Sequence, residues 1–222
     1  MFVLYLPLFI KFNEMSLKIN SLFVLILLSS FALLVACKED KPLPVLGNKK
    51  KVDGVEVDHT IPDFSFTNQL GNTVTNSDFE DKIYVADFFF TTCPTICPTV
   101  MSQMLRIYDK YEDNPQVGLL SHTLDPKIDS IGVLKNYGEN LEIEAPKWHL
   151  VTGPKDNIHN IVDDYMNIVI EDPQAPGGIN HTGKIILVDK DRKIRSFADG
   201  TDPEEVSQLL LDIDKLLNEY SK

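Results

Sequence analysis

KIYVADFFFTTCPTICPTVMSQMLRIYDKYE, residues 82–112, joins two periodicities across a pair of cysteines. KIYVADFFF is apolar at nearly every position and dense in β-branched and aromatic side chains, the pattern of a central strand covered on both faces. Beyond the cysteines, Met101, Met104, Leu105 and Tyr108 recur at spacings of three and four, which predicts a helix packed on that strand. Cys93 therefore stands at a strand end and Cys97 at a helix start, each followed by proline. Pro98 suits a first helical turn, where its missing N–H would have lacked a partner anyway. Pro94 and Pro98 also hold the residues before them away from helical geometry, so the segment between the sulfurs is expected to be stiff. Unpaired helical N–H groups near Cys97 are expected to lower its pKa.

The flanking sequence repeats the alternation. VGLLSHTLD (117–125) reads as a strand, SIGVLKNYGENL (130–141) as a helix and KWHLVTG (147–153) as a strand. NIHNIVDDYMNI (157–168) is helical, with Ile158, Ile161, Val162 and Tyr165 on one side. The polar segment EDPQAPGGIN (171–180) reads as a long loop, and GKIILVDKDRKIRSFADG (183–200) as an antiparallel hairpin about Asp189-Lys190-Asp191. In DPEEVSQLLLDIDKLLNEY (202–220), Asp202 can cap a helix, with Pro203 at its first position and Glu205 three residues on. Leu209, Ile213, Leu216 and Tyr220 would form its buried stripe. HTIPDFSFTNQLGNTVTNSDF (59–79) suggests a short hairpin turning near Gly71-Asn72, with Ser77 or Asp78 capping the next turn. Together these elements predict a three-layer α/β domain with a mixed central sheet and an N-terminal β-hairpin extension.

The chain has 222 residues, enough for one well-buried core and short for two. Its 33 acidic residues outweigh 21 basic ones, for a formal charge of -12, and no basic arm rises above that background. Nucleic acid is therefore not an expected partner. MSLKINSLFVLILLSSFALLVAC (15–37) has a lysine near its start, then an apolar run, then small residues before Cys37, the pattern of a secretory signal. Leu34–Cys37 resembles a bacterial lipoprotein processing box, in which the cysteine is acylated. On this reading residues 1–36 are a signal peptide with Met15 as its true start, residues 37–57 a flexible tether and residues 58–222 the folded domain. An uncleaved N-terminal anchor is the alternative. The expected location is the bacterial cell envelope, with the domain lipid-anchored and exposed to the periplasm. Lys38-Glu39-Asp40 resembles a surface-export signal, which would place it on the cell surface instead.

Only Cys93 and Cys97 then remain in the folded part. They could form a structural disulfide, act as a redox pair or hold a metal. A closed all-thiolate zinc site is excluded, because such a site needs four protein ligands. Cu(I) is satisfied by two soft thiolates and one imidazole. Five histidines compete for that place: His59, His122, His149, His159 and His181. His181 ends the proline- and glycine-rich loop that could carry a side chain to another element's edge, and His122 follows a strand close to the same edge. A site with no histidine at all stays open on spacing alone.

CPTICP (93–98), TLDPKIDS (123–130) and NHTGKIILVDKDRKI (180–194) together resemble the Sco/SenC family over roughly residues 58–220. These are thioredoxin-fold copper chaperones concerned with the copper site of cytochrome c oxidase. The resemblance implies a thioredoxin-like fold, copper ligation by Cys93, Cys97 and His181, and an oxidase subunit as copper-receiving partner. It also implies a thiol-disulfide reductant that maintains the cysteine pair, with binding of Cu(I) and of Cu(II) completed by another small donor. Thr92 and Ile128 depart from the family pattern and supply neither an extra donor nor a rim charge. His122 and Asp125 are candidates to support the site without binding the metal throughout. The competing reading is an enzyme, a thiol-disulfide oxidoreductase or thiol peroxidase using the same pair, although three residues separate its cysteines and no activating arginine lies nearby in sequence.

Overall fold

The computed structural model describes residues 41–221, so the signal segment, Cys37 and Lys38-Glu39-Asp40 lie outside the described residues. A small ribbon of β1 (Lys50–Val52) and β2 (Val55–Val57) precedes the hairpin β3 (Ser65–Asn68) and β4 (Thr73–Thr75). Next come β5 (Ile83–Phe89), α1 (Cys97–Tyr111), β6 (Val117–Thr123), α2 (Ile131–Asn140), β7 (Trp148–Thr152) and α3 (Lys155–Val162). A second ribbon, β8 (Val169–Glu171) with β9 (Ile179–His181), leads into the hairpin β10 (Lys184–Val188) and β11 (Ile194–Asp199), then α4 (Pro203–Glu219). Seven strands form one mixed sheet in the order β11-β10-β5-β6-β7-β3-β4. β5, β6 and β7 run parallel in its centre, flanked by antiparallel strands.

The alternation of β5 decides which helix covers which face. All seven of its residues are buried. On one face, Tyr84 Oη lies 2.9 Å from Tyr165 Oη and the Phe88 ring meets Tyr165 at 5.6 Å, so α3 and the turn after it pack there. On the other, Phe89 stacks on Tyr137 of α2 at 5.5 Å. Tyr108 of α1 meets Trp148 at 5.7 Å on that same side. Tyr111 Oη ties α1 to α4, donating to Leu210 O at 3.0 Å and Asp214 Oδ1 at 2.8 Å. Helices thus cover both faces, giving the expected three layers. Because the central strands are parallel, the C-terminal ends of β5 and β6 meet at one edge, and the cysteine segment starts there.

Local chemistry departs from expectation in several places. Thr75, not Ser77 or Asp78, caps the turn after β4, accepting from Ser77 N–H while Asp78 accepts from Thr75 N–H. Asp202 caps α4 as expected, but Glu205 accepts from Asp199 N–H at 2.8 Å instead of closing a capping box. The buried stripe of α1 runs through Ile107 rather than Leu105. On α4, Tyr220 is exposed at the C-cap, with Lys190 Nζ 4.7 Å from its ring centroid.

The segment expected to be a loose tether is fastened along much of its described length. Leu46 N–H donates to Ile194 O at 2.8 Å, extending the free edge of β11. Arg195 is buried between Asp189 and Glu219 and donates to Leu43 O at 2.6 Å and Pro44 O at 3.2 Å. The guanidinium's fork of donors, directed at four neighbouring acceptor groups, explains why so polar a segment packs. Covering an edge strand also removes a template for unwanted pairing.

Candidate metal centre

The donors of Cys93, Cys97 and His181 come together after β5, each from a different local element. Cys93 lies in the loop after that strand, its N–H donating to Phe90 O at 3.1 Å. Cys97 opens α1 with Pro98 in the first turn and no side-chain cap. His181 ends β9. One donor atom from each lies within 4.8 Å of the other two, and all three residues are buried. Among the described residues no other histidine, cysteine or acidic side chain joins such a group. Both cysteines are free thiols.

Their protonation differs, and in the opposite sense to the sequence expectation. Burial pushes Cys93 upward, but backbone N–H groups of Thr95 and Cys97, with side-chain bonds to Cys97 and Thr95, outweigh it and leave its pKa below the usual thiol value. Burial dominates at Cys97, and the hydrogen bond with Cys93 raises it further. The helix N-terminus therefore serves the sulfur four residues before it rather than the one at its own start.

His181 offers the right nitrogen. Its Nδ1 lies 3.2 Å from Thr182 O, a carbonyl that can only accept, so the ring proton sits on Nδ1. Nε2 keeps its lone pair and lies 3.4 Å from Cys97 Sγ. Burial lowers the imidazole pKa, opposed by the Thr182 bond, which favours the neutral ligand form. EDPQAPGGIN is not the long loop that the sequence implied. Val169 pairs with His181 and Glu171 with Ile179, so the histidine arrives on a two-stranded ribbon.

The other candidates are placed elsewhere. His59 Nε2 donates to Asp164 O at 2.7 Å, His149 Nδ1 faces Asn68 Nδ2 at 3.1 Å, and His159 Nε2 donates to Leu124 O at 3.3 Å. His122 corrects an expectation. On β6 its side chain points to the α3 face, stacked on Phe88 at 5.0 Å among Phe66 and Tyr165, whereas Cys97 begins a helix on the opposite face. Asp125 also stays outside the cluster. It forms the turn after β6, with its N–H donating to Thr123 Oγ1 at 3.1 Å and its carbonyl accepting from Asp129 N–H at 2.9 Å.

Asp129, which no local pattern in the sequence singles out, supports the cysteine segment. Its carboxyl is fully buried and accepts from Thr91 N–H at 3.1 Å, Thr91 Oγ1 and Thr123 Oγ1. Ser130 is the residue that caps α2. Asp129→Ala strands these donors and is expected to cost about 3 kcal/mol of unfolding free energy in urea. Asp129→Asn keeps an acceptor for the amide, since a threonine hydroxyl can turn to accept from the new NH2, and is expected to cost about 1 kcal/mol. Equal losses in the two variants would overturn this role.

Fold and site define a class: a three-layer α/β domain carrying two thiols and an imidazole as a soft-donor centre at the C-terminal edge of its parallel strands. The family model SCO1/SenC matches residues 52–218, three quarters of the chain, and the chain belongs to that family. The SCO1 protein homolog of Bacillus subtilis (strain 168) is 24% identical over 159 residues, covering 71% of this chain and 82% of that protein. The structure of a SCO1/SenC family lipoprotein from Bacillus anthracis str. Ames is 26% identical, with a TM-score of 0.64 over 71% of this chain and 95% of that one. Bradyrhizobium japonicum ScoI, solved with copper bound, is 25% identical, with a TM-score of 0.56 over 71% and 99% of the respective chains.

Proposed function

We propose that this chain is a copper-binding protein of cytochrome c oxidase assembly, taking the ion between Cys93 Sγ, Cys97 Sγ and His181 Nε2 and passing it to an oxidase copper site. The observation that carries this reading is the convergence of those three donors within 4.8 Å. Two thiolates suit Cu(I), and the imidazole suits either oxidation state, with a further small donor completing a Cu(II) site. The copper-bound ScoI relative and the family match support the choice of metal. Pro94 and Thr95, between the two sulfurs, are exposed, so a recipient can approach this edge and exchange ligands one at a time.

Thiol redox state is the gate in this proposal. Oxidation of the pair to a disulfide releases two protons and passes two electrons to an oxidant such as another disulfide, leaving no thiolate for the metal, and a thiol reductant restores the site. A lipid on Cys37 would hold the domain to an envelope membrane, in keeping with the lipoprotein relative. Among the described residues no helix is long and apolar enough to cross a membrane.

Anaerobic Cu(I) titration of the reduced protein tests the ligand set. Stoichiometric binding is expected for the parent and His122→Ala, with affinity lower by about tenfold or more in Cys93→Ser, Cys97→Ser and His181→Ala. Unchanged affinity in His181→Ala would remove the imidazole from the site. A second reading, thiol–disulfide exchange on a recipient's cysteines, is favoured by one observation: a lowered Cys93 beside a raised Cys97 is the division of labour between attacking and resolving thiols. Turnover of a disulfide substrate without copper would favour it.

A further inference from the structure

Among the described residues the β8–β9 ribbon that carries His181 pairs only with itself and is not a member of the main sheet. No ladder of hydrogen bonds therefore sets its distance from the cysteines; packing has to. Its base is held at Asn167, which accepts from Thr182 Oγ1, and at Met166 O, which accepts from Lys184 Nζ at 2.8 Å. Lys155 pairs with Glu171 on the exposed side, a contact that contributes little. At the other end the chain enters β9 through Gly177 and Gly178, with φ of +81° and +78°.

These two glycines have different surroundings. A Cβ on Gly177 would stand 2.7 Å from Phe90 Cε2, 3.0 Å from Phe90 Cζ and 3.6 Å from Pro94 Cδ, whereas one on Gly178 would meet nothing within 4 Å among the described residues. Phe90 cannot swing clear, being 1% exposed. It also faces the site: its ring meets His181 at 5.7 Å, edge to face, and its carbonyl accepts the Cys93 N–H. One residue thus touches the cysteine segment, the histidine and the bare backbone of the ribbon.

We propose that Gly177 is a positioning residue for copper: its missing side chain is the notch in which the Phe90 ring seats the ribbon, and that seat holds His181 Nε2 beside Cys97 Sγ. The link to copper rests on His181 being a ligand, as proposed above. The seat itself is a property of the metal-free protein. A methyl group at Gly177 pushes the ribbon off Phe90 and carries the imidazole away from the sulfurs, while the cysteine pair stays where β5 and α1 put it.

Gly177→Ala and Gly178→Ala separate the seat from backbone strain, because both impose a left-handed conformation on alanine and only the first adds a collision. Metal-free NMR should show the His181-to-Phe90 ring contacts in the parent and Gly178→Ala and lose them in Gly177→Ala. After Cu(II) loading, imidazole nitrogen hyperfine coupling in EPR should follow the same pattern, with copper affinity lower by about tenfold in Gly177→Ala alone. Phe90→Leu in the Gly177→Ala background makes room for the methyl and should restore the nitrogen coupling. Should Gly177→Ala prove too unstable to study, Phe90→Leu alone opens the seat from the other side and should weaken the His181-to-Cys97 contacts. Retained ring contacts and nitrogen coupling in Gly177→Ala, or equal losses in Gly178→Ala, would overturn the proposal. Parent spectra without nitrogen coupling, matching His181→Ala, would instead defeat the ligand assignment, and the metal-free contacts would still decide on the seat.

Discussion

Replacing Asp87 with asparagine should stabilise the protein at pH 8 by about 2 kcal/mol and destabilise it by about as much near pH 4. Asp87 is fully buried in β5, accepting from Ser121 Oγ, which in turn accepts from Trp148 Nε1 at 2.8 Å. Among the described residues its Oδ2 has no partner. Burial raises its pKa to about 7, against the opposing Ser121 bond. The folded protein therefore keeps a proton that the unfolded chain releases above its own pKa near 4. Stability from this group is complete below about pH 4 and is lost as pH rises through 7, at about 1.4 kcal/mol per unit, reaching roughly 4 kcal/mol. Asparagine removes the charge and keeps an acceptor for Ser121, but leaves amide protons unpaired, which halves the benefit. Urea unfolding from pH 4 to 8 measures this. A difference between variant and parent that does not change with pH would refute the account. The same carboxylate disfavours a thiolate at Cys97, after burial and Cys93, so the variant should bind Cu(I) no more weakly than the parent.

His122→Leu should act in the opposite pH range. Neither ring nitrogen of His122 has a partner among the described residues, and burial lowers its pKa to about 3. The unfolded chain binds a proton near pH 6.5 that the folded one refuses. Stability from the neutral ring is therefore complete above 6.5 and lost as pH falls toward 3, by about 1.4 kcal/mol per unit and about 5 kcal/mol in all. Leucine has a similar volume and no polar atoms, so the variant should gain about 1 kcal/mol at pH 7, after losing the stacking on Phe88. Its advantage should then widen with acid. Between pH 4 and 6.5 the Asp87 and His122 slopes have opposite signs and offset each other in the parent. Each single substitution should expose the other's slope, and parallel pH profiles for parent and His122→Leu would show that this ring does not titrate on unfolding.

Much of this protein was legible along the chain. The apolar run of β5, the three-and-four spacing in α1 and α3, and the Asp202 cap of α4 are local signals, because strand and helix periods and caps depend on neighbours in sequence. The residue pattern alone was enough for the main-sheet strands and the four helices in chain order, for the mixed sheet, and for placing Cys93 at a strand end and Cys97 at a helix start, but not for the two small ribbons. Three short segments together resembled one family, and that pointed to His181. Tertiary structure alone decided the rest. Which face of β6 a side chain occupies follows from pairing register, so His122, near the expected edge in sequence, is in the core beneath α3. Which sulfur the helix terminus favours depends on where the N–H groups point and how deeply each thiol is buried, and both put the lower pKa at Cys93. Asp129 and Gly177 matter through contacts with Thr91 and Phe90, 38 and 87 residues away in sequence, a distance at which no local pattern carries information.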